Sequence, residues 1–245
     1  MVDVFEQVEE ELRSDRYKRL ARTWLPVAGA VLGLALVAAL GWWGWDSWQS
    51  SRANAASSAY DRGMEALQAD NAAGAEAAFT EAAEKGNGAY KALALMQRAG
   101  LAVTANRIPQ AVELFDEAAK ASGDPILADI ASLKAVYLLM DTATLADIEA
   151  RLEPLVKEGR PYRAFATEAQ AMARLQNGQT AQAREALVLL QLGQDVPDPV
   201  RERAQGAIDQ IDSGTAANLQ AIGRAQATVP AEALTPQAPV QAPTQ

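Results

Sequence analysis

The chain has 245 residues, 22 basic and 31 acidic side chains, a net charge of −9, and neither histidine nor cysteine. This acidic balance argues against nucleic-acid binding, which needs a basic face for phosphate contacts. Without His and Cys there is no Cys/His zinc site, no disulfide and no His-containing catalytic triad. Alanine, the strongest helix former, occurs 54 times, so the composition predicts an all-α protein.

An uncharged segment of 22 residues runs from Trp24 to Trp45. As a helix it would measure roughly 33 Å, enough to cross a hydrocarbon core of ~30 Å. The tryptophans cluster near its two ends, as expected for side chains that anchor at membrane interfaces. All five belong to this cluster: Trp24, Trp42, Trp43, Trp45 and Trp48. The sequence therefore predicts a single transmembrane anchor over residues 24–45.

Basic residues around this segment predict its orientation. Five precede it (Arg13, Arg16, Lys18, Arg19 and Arg22), and up to residue 62 only Arg52 and Arg62 follow. By the positive-inside rule, residues 1–23 form a cytoplasmic leader and the rest of the chain is exported. A cleaved signal peptide is the alternative, but the apolar run exceeds the usual ~7–15 residues and bulky tryptophans follow it.

Two glycines inside the anchor, Gly29 and Gly33, are four residues apart. This spacing allows close approach of another membrane helix and predicts a packing site. The alternative is that glycine is simply common in membrane helices.

After a juxtamembrane helix or linker at residues 46–58, an apolar triplet at x, x+4 and x+7 recurs four times. Its first members are 36, 37 and 35 residues apart. This spacing within each triplet is typical of one buried helix face. The triplets are Ala75/Phe79/Ala82, Ala111/Phe115/Ala118, Ile148/Leu152/Leu155 and Ala183/Leu187/Leu190.

A second set of periodic segments alternates with the triplets, at about 54–69, 89–105, 125–141 and 161–176. Helix–turn–helix units with a period near 34 are the signature of tetratricopeptide repeats. The pattern predicts a tetratricopeptide-like α-solenoid over residues 59–212, with four helix pairs and a capping helix at 199–212. Small residues occur where the first helix of such a repeat has one, at Gly63, Ala99 and Ala171, but the early Trp of the repeat is absent.

The last 33 residues, 213–245, contain four Pro and five Gln and no aromatic residue. Such a composition buries too little apolar surface to fold, so it predicts a disordered tail.

The whole layout resembles a bacterial inner-membrane family with one N-terminal anchor and a periplasmic tetratricopeptide-like domain, which includes the ancillary subunit of the Sec translocon. The resemblance covers residues 3 to about 210. It rests on the leader VFEQVEEELRSDRYKRL, the span ending GWWGWDSW, the junction ASSAYDRGMEAL, and the segments RLEPLVKEGRPYR and DPVRERAQ. The resemblance implies association with the translocon and with periplasmic chaperones, and it carries no catalytic motif.

Repeat arrays of this kind bind partners along a concave surface formed mainly by the first helix of each pair. The candidates are aromatic, Leu and Met residues, and Met suits surfaces that accept varied apolar partners. The alternative is that the Met side chains fill gaps between helices. We call this set the predicted groove: Tyr60, Met64, Leu93, Met96, Tyr137, Met140, Phe165 and Met172.

The sequence thus predicts a single-pass inner-membrane scaffold that binds proteins in the periplasm, either translocon subunits, chaperones or unfolded clients. An assembly factor for another envelope complex, such as cell-wall or cytochrome assembly, has the same architecture. An enzyme is not expected. Carboxylate pairs such as Asp61/Glu65 and Asp147/Glu149 fit solvated helix faces, and no nucleophile–base set, phosphate loop, metal site or cofactor motif accompanies them.

Overall fold

A computed structural model describes the backbone of residues 4–216 and the side chains of residues 24, 26 and 29–216. This part of the chain contains nine α-helices and no strand, which confirms the all-α prediction there. Residues 217–245 of the predicted tail and the side chains of the leader lie outside the described residues. The helices are α1 Val4–Gln68, α2 Ala72–Lys85, α3 Gly88–Thr104, α4 Ile108–Ala121, α5 Pro125–Leu139, α6 Leu145–Leu152, α7 Arg163–Gln176, α8 Thr180–Leu192 and α9 Asp198–Asp212.

The chain divides into two compact units, residues 1–55 and residues from Ala56 onward. In the first unit, the large apolar side chains of α1 with described positions are exposed. Trp42 is 78% exposed and Leu34 72%. From Gly29 onward α1 is long and apolar enough to cross a membrane by length and composition, properties that a membrane anchor shares with a signal sequence.

The second unit is an array of helix pairs. Residues 56–68 of α1 pair with α2, α3 with α4, α5 with α6, and α7 with α8; we number these pairs one to four. Short turns join most of the helices, with the longer turn 153–162 between α6 and α7, and several helices begin with a side-chain cap. Asn71 accepts from the Gly74 amide at α2, Asp124 from Ile126 at α5, and Thr144 from Asp147 at α6. Such caps satisfy amides that the first helical turn leaves unpaired.

The core of the array consists of the four apolar triplets. All twelve side chains are buried, and none exceeds 4% exposure. Phe79 and Leu187 are fully enclosed, in pairs one and four. The x, x+4, x+7 pattern therefore identified the inner face of every second helix.

A more regular feature lies on the first helices, where a small buried residue recurs every 36 residues. Gly63, Ala99, Ala135, Ala171 and Ala207 occupy this position on α1, α3, α5, α7 and α9. At Gly63 the fit is closest, because a Cβ there would lie 2.5 Å from Cε1 of Phe79. Since Ala207 continues the period, α9 is built like the first helix of a further repeat. Its exposed face is polar, which suits the predicted cap.

Pair three departs from the pattern. Its second helix, α6, has only eight residues and ends at Leu152, so Leu155 lies in the following turn, although it is 3% exposed. The expectation that all four triplets lie within helices is thus wrong for this member. The turn reaches α7 through Gly159, whose φ of +79° favours glycine.

Pair three also contains a buried carboxylate. Asp129 on α5 has no exposed surface and accepts a hydrogen bond from Nη2 of Arg160 in the turn before α7. Asp129 Oδ2 and Arg160 Nε are buried too, and neither has a hydrogen-bond partner among the described residues. The Arg160 side chain is 34% exposed, so burial removes solvation mainly from the Asp129 carboxylate, and the pair contributes less than its Coulomb attraction.

Candidate interaction surface

Polar side chains join neighbouring first helices. Between α1 and α3, Tyr90 donates from its hydroxyl to Ser57 Oγ at 3.1 Å, and Gln97 Nε2 donates to the Tyr60 hydroxyl at 2.9 Å. The Tyr60 ring also packs on Phe79, with 5.3 Å between ring centroids. Tyr60 is therefore fixed by two contacts, the packing of its ring on Phe79 and the hydrogen bond to its hydroxyl.

A second polar contact joins α7 and α9, near Tyr137 of α5. Arg203 donates from Nε and Nη2 to the two carboxylate oxygens of Glu168, each at 2.6 Å. Glu168 is 8% exposed, whereas the Arg203 side chain is 51% exposed. Burial and the nearby Glu168 carboxylate raise the pKa of Tyr137. The hydrogen bonds to Glu168 raise the pKa of Arg203 as well. A bidentate arginine–carboxylate pair of this kind fixes the spacing of the two helices that it joins, here α7 and α9.

Among the predicted groove residues, Tyr137 is the most exposed, at 46%. The other seven are partly buried. Tyr60, Met64 and Met96 pack on the core of pairs one and two; Met140 and Phe165 pack on the core of pair three. Phe165 and Met172 also pack on the core of pair four and α9. The methionines thus fill space between helices and present part of their surface to solvent.

Several contacts of this surface were not expected from the sequence, namely those made by Gln97, Glu168 and Arg203. The position of Glu168 could have been predicted from the helix period. Glu168 lies three residues before Ala171, the small residue that marks the inner face of α7. Residues three apart share a helix face, so this carboxylate faces the array.

The anchor residues lie in the other unit. Trp24, Trp42, Trp43, Trp45 and Trp48 are 52–78% exposed. A Cβ at Gly29 or Gly33 would have no neighbouring atom within 4 Å, so this face is open. Trp45 and Trp48 form a ring pair at 5.6 Å, and the Arg52 guanidinium lies 5.0 Å from the Trp48 ring centroid.

A pocket of about 590 Å³ lies between the first turns of α7 and the last turn of α8. The turn before α7 and the loop 193–197 complete it, and we call it the α7–α8 pocket. Its apolar lining includes Phe165, Leu189 and Val196. The lining also includes two acids, Glu158 and Asp195, and two bases, Arg163 and Arg160, of which Arg160 is paired with Asp129. The pocket therefore combines apolar and charged side chains.

The family model for the tetratricopeptide repeat-like domain matches residues 18–192. The chain belongs to this family. No curated protein and no solved structure gives a significant match. Domains of this family typically act as scaffolds for protein–protein interaction rather than as enzymes, and among the described residues no cluster of three or more acidic side chains could hold a metal ion.

Proposed function

We propose that this protein is a membrane-anchored scaffold whose helical array binds proteins on the exported side of a bacterial inner membrane. Residues 24–45 are the uncleaved anchor, residues 1–23 stay in the cytoplasm, and the array lies in the periplasm. One observation carries the proposal: the large apolar side chains of the anchor are exposed while those of the array triplets are buried. An apolar helix that no protein covers needs another apolar environment, and the bilayer provides one.

The partner that we propose is the Sec translocon, with this chain as its accessory subunit. Support comes from the resemblance of the leader, the Trp-flanked span and the array to the family that includes this subunit. Anchoring beside the channel raises the local concentration of the array near emerging chains, so weak contacts suffice to hold a chaperone or a client.

Within the array, we propose that partners contact the predicted groove around Tyr137. Its ring is the most exposed of the groove, and the Glu168–Arg203 pair lies beside it. A half-exposed tyrosine next to an arginine is a typical hot-spot composition. The part-exposed methionines provide adaptable apolar surface around it.

Photo-crosslinking in living cells tests both assignments. One probe replaces Leu36, which is 61% exposed in the span, and another replaces Tyr137. A matched control probe replaces Glu113, an exposed residue of α4. We expect translocon subunits at position 36, and chaperones or nascent chains at position 137 but not at position 113. Adducts restricted to cell-wall or cytochrome-assembly proteins would instead assign the scaffold to another envelope complex.

Helix packing in the membrane has its own test. Gly33→Ile adds a branched side chain to the open Gly29/Gly33 face, whereas Ala38→Ile adds similar bulk elsewhere on the helix. We expect Gly33→Ile alone to reduce co-purification of the translocon. Equal recovery with both variants would contradict this packing site.

A further inference from the structure

The most exposed apolar surface of the array lies beside the α7–α8 pocket. Leu189 lines the pocket and is 67% exposed, and Leu192, one turn further along α8, is 73% exposed. No other large apolar side chain of the described array is as exposed. Together with the apolar lining of the pocket, the two leucines form a continuous apolar surface suited to docking a partner segment.

We propose that the C-terminal segment of the same chain, residues 229–243, docks in the α7–α8 pocket and covers Leu189 and Leu192. The segment reads VPAEALTPQAPVQAP and carries a single charge, Glu232. The other side chains of the segment are mainly Ala, Pro, Val and Leu, and docking buries them against Phe165, Leu189 and Val196 of the pocket lining.

The path of the chain makes this docking possible within one molecule. Ala216 is 7% exposed and packs with Leu175 and Ala183, so the tail departs beside the N-terminal end of α8. Position 183 lies about 10 Å along the helix from position 190 at the pocket. The intervening residues 217–228 span up to about 40 Å when extended, which is ample for this distance.

The prolines of the segment favour an extended ligand over a helical one. Pro236 and Pro239 are three residues apart. A polyproline II helix has three residues per turn, so both rings share one edge and can face the pocket together. Such segments bind apolar grooves with little loss of conformational entropy. The tail is therefore an internal occupant that an external apolar segment must displace.

Intramolecular crosslinking tests the proposal on the full chain in detergent. The protein has no cysteine, so a pair at Gln194→Cys, on the exposed pocket rim, and Gln241→Cys, in the tail, reports their contact without background. The matched control pair is Glu113→Cys with Gln241→Cys. We expect a crosslink within one chain for the first pair, at a much higher yield than for the control.

Three further variants separate docking from mere proximity. Leu189→Glu should lower the yield of the 194–241 crosslink roughly tenfold, since it removes the burial of one leucine side chain. Pro236→Ala with Pro239→Ala should lower it as well. Ile126→Glu, at a half-exposed apolar site on α5, should leave it unchanged. Equal yields for pocket and control pairs, or insensitivity to Leu189→Glu, would overturn the proposal. A crosslink between two chains would overturn the assignment to the same molecule.

Discussion

Pairs two and three show how the array tolerates irregularity. Both first helices keep the small buried residue, Ala99 in α3 and Ala135 in α5, 36 residues apart. Their second helices differ: α4 has 14 residues and a buried Phe115, whereas α6 has eight and a buried Leu152. The first helices therefore maintain the period of the solenoid, and the second helices vary within it.

The two pairs also differ at an equivalent position on the first helix. Leu93 of α3 corresponds, 36 residues later, to Asp129 of α5. Leu93 is partly buried, whereas Asp129 is fully buried and bound by Arg160. Pair three thus replaces an apolar contact with an ion pair to the turn that follows its short second helix. The Asp129–Arg160 pair joins the long turn 153–162 to α5.

The largest expected effect is the loss of an aromatic side chain from pair two. Phe115→Ala should lower the free energy of unfolding by about 4 kcal/mol, through lost burial and the cavity left behind. Leu152→Ala, the equivalent change in pair three, should cost about 3 kcal/mol because the side chain is smaller. Denaturant unfolding of both variants gives the difference, and a larger loss for Leu152→Ala would contradict this ranking of the two cores.

The ion pair of pair three is the next most sensitive feature. Asp129→Ala removes the acceptor of Arg160 and should destabilise the array by about 3 kcal/mol. The double variant Asp129→Leu with Arg160→Met reproduces the apolar character of Leu93. It should be close to neutral, since a well-packed apolar replacement needs no desolvation of charge. Thermal unfolding distinguishes the two, and a double variant as unstable as Asp129→Ala would refute this account.

These contrasts also show what the sequence could predict. The triplet pattern identified twelve buried residues, because one apolar face per second helix suffices to detect a helix period. It did not reveal that α6 ends before Leu155, since a turn buries an apolar side chain as readily as a helix does. The exposure of the predicted groove residues was harder to predict than the core. A first helix contacts neighbours on several sides, so residues such as Met96 and Met172 pack on the core while keeping part of their surface exposed.

A smaller effect tests the small-residue period. Gly63→Ala places a methyl group 2.5 Å from the Phe79 ring, so the ring or the helix must shift. We expect a loss of about 1–2 kcal/mol from overpacking. Gly100→Ala, also within a helix but with no atom near its Cβ, should gain about 0.5–1 kcal/mol from helix propensity. Unfolding measurements that gave both changes the same sign would show that the Phe79 contact does not set the choice of glycine.

The smallest expected effects are those of pH, and they again separate pair three from the ends of the array. Hydrogen bonds from Arg184 lower the pKa of Asp212 on α9, and those from Lys85 and Arg62 lower the pKa of Glu81 on α2. Each contribution to stability is complete above the ordinary carboxyl pKa and is lost as the pH falls through the lowered value.

In pair three, stability depends on pH in the opposite direction. The pKa of Tyr137 is raised, mainly by burial, so its contribution is complete below the ordinary tyrosine pKa and is lost as the pH rises through the folded value. Stability measured against pH should therefore lose part of its acid dependence in Asp212→Asn and part of its alkaline dependence in Tyr137→Phe. An unchanged acid limb in Asp212→Asn would show that the Arg184–Asp212 pair contributes nothing to the acid dependence of stability.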